Sequence, residues 1–98
     1  MINLKSIIIK NKKWKIRLKS RIVFEGYECN GLCTFKKRTI DIKKGLTDSK
    51  YTSVLIHELV HAIIFEYGLD DAMEISLEEV LCDAIESEFM KLFDIRIN

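Results

Sequence analysis

His57 and His61 are the only histidines in the chain, and they stand four residues apart in the run His57-Glu58-Leu59-Val60-His61. If that run is helical, the two imidazoles lie one turn apart on one face, where they can share a metal ion. Glu58 is offset from His57 by about 100° around the axis. Its carboxylate then reaches a water bound to the ion rather than the ion itself. Zinc lowers the pKa of such a water to roughly 7, and a carboxylate takes the proton as the oxygen attacks a carbonyl. The expected roles are His57 and His61 as ligands of one zinc ion per chain, and Glu58 as general base.

A hydrolytic zinc site uses three protein ligands and keeps a fourth position open. With no third histidine, the remaining ligand is a carboxylate or a thiolate. The stretch after Ser76 offers Glu78, Glu79, Cys82 and Asp83. Glu79 is preferred because it alone leaves Asp83 four residues behind it, placed to accept the outer N–H of a ligating histidine. Glu78 competes, since it falls nearer the stripe of Leu81, Ile85 and Phe89. A third reading gives Glu79 no metal at all, because Ser76-Leu77-Glu78-Glu79 also fits a capping box.

The elements that must position these residues change in kind near residue 47. Before it, short alternating runs predict strands: Ile2 to Lys5 continuing into Ile7-Ile8-Ile9, then Trp14 to Leu18, with a hairpin turn over Lys10 to Lys13. Phe35 and Arg38 to Ile42 predict two further short strands, after a loop marked by Gly26, Asn30 and Gly31. After residue 47 the period is helical. Thr47 or Asp48 caps a helix running to about Tyr67, with Val54, Leu55, Leu59, Val60, Ile63 and Ile64 inward and Gly68 as its stop. An aspartate-rich connector leads to a second helix, capped by Ser76, with Leu77, Leu81, Ile85, Phe89 and Leu92 as its inner stripe. The expectation is one domain over 1–98, α+β with segregated elements: mainly strands over 1–46 and two helices over 47–98.

Apolar residues at 48% and charged residues at 32% exclude a disordered chain. A domain this small buries only about 60% of its unfolded surface, so a bound ion would help hold it together. Net charge is +1, which gives no overall attraction to nucleic acid. Lys10, Lys12, Lys13, Lys15, Arg17, Lys19 and Arg21 read as a solvated basic face, without the aromatic platform that single strands stack on. Cys29, Cys33 and Cys82 are an odd count, which suits reduced thiols and a cytoplasmic setting. No apolar run reaches membrane-spanning length, so no membrane partner is expected.

At the motif residues the chain resembles the gluzincins, whose two HExxH histidines are followed about twenty residues later by a glutamate and then an aspartate or asparagine. Here those residues are His57, Glu58, His61, Glu79 and Asp83. The run His57 to Ile63, the later Asp83-Ala84-Ile85 and the strand Arg38 to Ile42 are similar to small ImmA/IrrE-type metallopeptidases and to compact zincin-like proteins of phages and prophages. The resemblance spans roughly residues 31–93. It implies a minimal zincin-like fold, with a small antiparallel or mixed sheet followed by an active-site helix and a second packed helix. It also implies one zinc ion and peptide-bond hydrolysis in a bacterial or phage-infected cell, with a repressor protein among the possible substrates. The strand around Ile40 is the expected edge for a substrate backbone to pair with. Larger gluzincins carry an extra domain that supplies an oxyanion donor; here only Tyr27, Arg38, Tyr51 and Tyr67 stand in for it. The alternative is a zinc-binding regulatory or interaction module that hydrolyses little or nothing.

Overall fold

The computed structural model describes the backbone of residues 5–97 and the side chains of residues 5–92. β1 (Ser6–Ile9) and β2 (Lys12–Lys19) form the expected hairpin, with Ile7 opposite Trp14 and Ile9 opposite Lys12. Its two turn residues, Lys10 and Asn11, have φ of 49° and 66°, the left-handed pair that two-residue hairpins require. Ile2, Asn3 and Leu4 of the expected first strand lie outside the described residues.

The chain then forms a small two-stranded sheet, β3 (Val23–Phe24) with β4 (Tyr27–Glu28), turning on Glu25 and Gly26. These strands replace part of the predicted loop. Gly31 does not sit in that loop either: it opens β5 (Gly31–Thr34), and Phe35 falls just past the end of that strand. β6 (Thr39–Lys43) completes a four-stranded mixed sheet in the order β1-β2-β6-β5. It pairs in parallel with β2 and antiparallel with β5.

β6 is therefore an interior strand, which corrects the expectation that the strand around Ile40 is a free edge. Both of its faces are buried. Ile40 and Ile42 turn into the core, while Asp41 on the other face accepts the Arg17 guanidinium at 2.8 and 3.2 Å. The free edge on the helix side of this sheet is β5.

α1 (Asp48–Glu66) starts where predicted. The Thr47 hydroxyl accepts the Lys50 N–H at 3.2 Å, and Gly68 at φ 70° ends the helix in a left-handed residue. Tyr51, Val54, Leu55 and Ala62 pack onto Trp14, Ile16, Ile40 and Ile42 to form the main core. Val60 and Ile64, on the adjacent side, form a smaller cluster with Cys82. A 3-10 turn (Leu69–Ala72) leads into α2 (Ile75–Ile97).

Two expectations for α2 are corrected. Ile75 already belongs to the helix, and the Glu78 N–H donates to the Glu74 carbonyl at 3.0 Å. Ser76 thus lies inside the first turn and does not cap it, so the capping-box reading of Glu79 loses its serine. The inner stripe is also different. Leu77, Leu81, Phe89 and Leu92 are exposed, Ile85 is half-buried, and among the described residues of α2 the fully buried one is Cys82. α2 is rotated so that Glu78, Cys82 and Glu86 face α1. There Glu78 and Glu86 meet the imidazoles of α1, while Leu81, Ile85 and Phe89 line a cleft beside it.

Candidate metal centre

The motif lies in the third and fourth turns of α1, with the first sheet below it and α2 beside it. His57 and His61 are packed one above the other, their rings 5.0 Å apart and inclined at 67°. Both are largely buried. Apolar neighbours at Val54, Leu55, Val60 and Ile64 hold this part of the helix rigid against the core, which fixes the ring positions.

Each ring meets carboxylates at both nitrogens. The Glu79 carboxylate spans the two rings, with Oε1 2.9 Å from His61 Nε2 and Oε2 3.4 Å from His57 Nε2. On the other side, Glu78 lies 2.5 Å from His61 Nδ1. Glu86 lies 3.1 Å and Asp83 3.2 Å from His57 Nδ1. Glu79 thus stands between the two inner nitrogens, where a third ligand belongs. Asp83 stands at the outer nitrogen of His57, beside Glu86. Glu78, the competing ligand, is instead brought to the outer nitrogen of His61.

This arrangement suits a cation. A neutral imidazole carries one N–H. If each Nδ1–H donates to its outer carboxylate, the two Nε2 lone pairs and the Glu79 oxygens converge with no proton among them. Their meeting point is then lined by lone pairs and carboxylate oxygens, the surroundings a positive ion takes. Five carboxylates, those of Glu58, Glu78, Glu79, Asp83 and Glu86, surround two histidines here. The donor set is the nitrogen-and-oxygen set that zinc takes in hydrolytic sites. The residues fit the ion.

Glu58 packs against the start of β5. A Cβ built on Gly31 would lie 3.1 Å from Glu58 Cγ and Oε2, and 2.5 Å from Val54 Cγ1. The glycine is what lets the strand approach the carboxylate this closely. Burial raises the Glu58 pKa above the usual carboxylate range; His57 and His61 pull it down, and Glu79 and Glu86 push it up again. Cys82 is buried beside the histidine pair, its sulfur within 4.8 Å of a nitrogen of each ring. Burial, then the surrounding carboxylates led by Glu79 and Glu78, push its thiol up to about 12. Cys33 on β5 is raised as well, by burial first and then by Glu58.

The proposed oxyanion donors are committed elsewhere or exposed away from the core. The Arg38 guanidinium donates to Glu66 at 2.6 Å, the Tyr67 ring lies under the Lys10 ammonium at 4.9 Å, Tyr51 is buried in the main core, and Tyr27 is exposed on β4. Sequence reasoning missed three contributors: Gly31, Ser53 and Glu86. The signal for Glu86 was present, since it follows Glu78 and Cys82 at four-residue steps along one face of α2. Ser53 precedes His57 by the same step on α1. No protein-family model, no curated protein and no solved structure matches the chain.

Proposed function

We propose that the chain is a zinc-dependent hydrolase acting on peptide bonds, with His57, His61 and Glu79 as ligands and Glu58 as general base. One observation carries this reading: the Glu79 carboxylate stands between the Nε2 atoms of both motif histidines, at 2.9 and 3.4 Å. Zinc held there would supply the polarisation that makes a water acidic and a carbonyl electrophilic. The protein groups do the rest. Glu58, next to the ligand pair and shielded by β5, takes the proton of the attacking water and passes it to the leaving amine. β5 is an open edge whose start lies against Glu58. An extended peptide adding to that edge would bring its backbone past the carboxylate. A repressor as substrate rests on the family resemblance alone. The three cysteines form no disulfide, which suits a reducing compartment such as the cytosol. The test is hydrolysis of a peptide library by the zinc-loaded protein, with Glu58→Gln as control. Cleavage by the wild type and none by the variant is the expected result; equal cleavage by both overturns the assignment.

A second reading has its own observation. Cys82 is close enough to both histidines to join them in holding an ion. A thiolate there would fill the open position and leave a closed zinc site, as in a regulatory or interaction module. Cobalt substitution separates the two readings. A sulfur-to-cobalt charge-transfer band that vanishes in Cys82→Ser favours the closed site, and its absence favours the open one.

A further inference from the structure

Two carboxylates compete for the outer nitrogen of His57, and they are not equivalent. Asp83 is the one that the spacing after Glu79 singles out, yet its side chain is 71% exposed. Glu86, one turn further along α2, is 26% exposed and lies slightly nearer, 3.1 Å against 3.2 Å. Glu86 is also held from behind: its second oxygen accepts the hydroxyl of Ser53. Ser53 sits one turn before His57 on α1, so the hydroxyl, the carboxylate and the imidazole form one chain across the helix interface.

The chemistry of that chain has a direction. Ser53 donates to Oε2, which leaves Oε1 as an acceptor aimed at His57 Nδ1. An acceptor there fixes the proton on Nδ1 and turns the Nε2 lone pair inward, toward Glu79. An exposed aspartate without a second anchor trades its contact with water and holds no ring orientation. A carboxylate bonded at both oxygens has one geometry.

We infer that Glu86, anchored by Ser53, is the positioning residue that sets the tautomer and orientation of His57, and that Asp83 is not. The inference rests on the proposed metal centre, but one of its two tests needs no metal. The first test reads the imidazole tautomers of the metal-free protein by long-range proton–nitrogen NMR. With only two histidines in the chain, comparison with His61→Gln assigns the signals. His57 is expected with its proton on Nδ1 in the wild type and in Asp83→Ala. Glu86→Ala should move the proton toward Nε2. Glu86→Gln should restore the wild-type pattern, because its carbonyl accepts the same N–H.

The second test is zinc competition against a chromophoric chelator. Glu86→Ala should weaken binding about 10–100-fold, the usual cost of losing such a partner. Ser53→Ala should weaken it by a smaller factor, and Asp83→Ala should leave it nearly unchanged. If Glu86→Ala fails to fold, Ser53→Ala with both readouts carries the test. A tautomer shift and affinity loss in Asp83→Ala, with neither in Glu86→Ala or Ser53→Ala, overturn the inference. A wild-type protein that binds no zinc overturns the metal centre instead, and the tautomer pattern still decides the role of Glu86.

Discussion

Glu79 and Glu78 are neighbours in sequence but meet different nitrogens, and substitutions should separate them. Glu79 faces both Nε2 atoms, so Glu79→Gln removes the charge that completes the ligand set and should reduce zinc affinity steeply. Glu78 faces only His61 Nδ1. Glu78→Gln keeps an acceptor there and should cost far less, while Glu78→Ala should cost about 10–100-fold. Zinc competition on the three variants checks this order; a larger loss in Glu78→Gln than in Glu79→Gln would exchange their roles. Glu58→Gln should leave zinc content unchanged, because the proposed role of this carboxylate is to take a proton from water and not to ligate the ion. Gly31 acts at the same scale. A methyl at this position meets the branched Val54 at 2.5 Å, and a core residue gives way only at a cost of about 1–3 kcal/mol. Gly31→Ala should lower the melting temperature, and Val54→Ala in the same chain should recover part of the loss. No recovery would place the strain elsewhere.

The elements show what sequence alone conveyed and what it did not. The ends of α1 were legible nearly to the residue, because its cap and its glycine stop are local signals, whereas Ile63, expected inward, is exposed. The motif pair followed from that helix. The β1–β2 hairpin was legible for the same reason. The parallel pairing of β2 with β6 was not: it joins segments more than twenty residues apart, and nothing in either strand names its partner. β3 and β4 are two residues each, too short to carry a period. α2 was misread on its inner face in part: Leu81, Ile85 and Phe89 line a cleft beside α1, but the residues set against the histidines are Glu78, Cys82 and Glu86, which an apolar stripe does not announce. Helix and sheet are also tied by a polar latch. Glu66, at the end of α1, accepts Trp14 Nε1–H at 2.7 Å and Arg38 Nε–H at 2.6 Å. The Arg38 hydrogen bond holds the Glu66 pKa below its ordinary 4.5; burial works against this, and the Trp14 bond adds to it. A carboxyl lowered in the folded state stabilises the fold above its unfolded pKa, and the gain disappears as pH falls through the folded value. Glu66→Gln should therefore be less stable than the wild type at neutral pH. The gap should close as the pH drops below the usual carboxylate range. Denaturant melts across that range check it, and a gap independent of pH would mean that the latch acts by shape alone.

At the scale of the whole molecule, the two helices are joined unevenly. The main core lies between the sheet and α1, whereas among the described residues α2 adds one fully buried apolar residue, Cys82, to a small cluster with Val60 and Ile64. Beside that cluster, Val60, Ile63, Leu69, Leu81, Ile85 and Phe89 line an open apolar cleft of about 430 Å³. Among the described residues no helix is long and apolar enough to cross a membrane. What else binds α2 to α1 is the cluster of carboxylates and histidines. Without an ion, Glu78, Glu79, Asp83 and Glu86 crowd around two imidazoles, a weaker tie between the helices than a shared ion would be. With an ion, the same charges become ligands and acceptors, and the binding free energy becomes docking free energy. Chelation should therefore lower the melting temperature, and it should do so unevenly. Amide exchange should speed up along α2 first, while β2, β6 and the Val54–Leu55 turn of α1 stay protected. The double variant His57→Ala, His61→Ala should ignore both zinc and chelator. Exchange that rises equally in the sheet and in α2 would show one cooperative unit, and an unchanged melting curve would show that the helices dock without the ion.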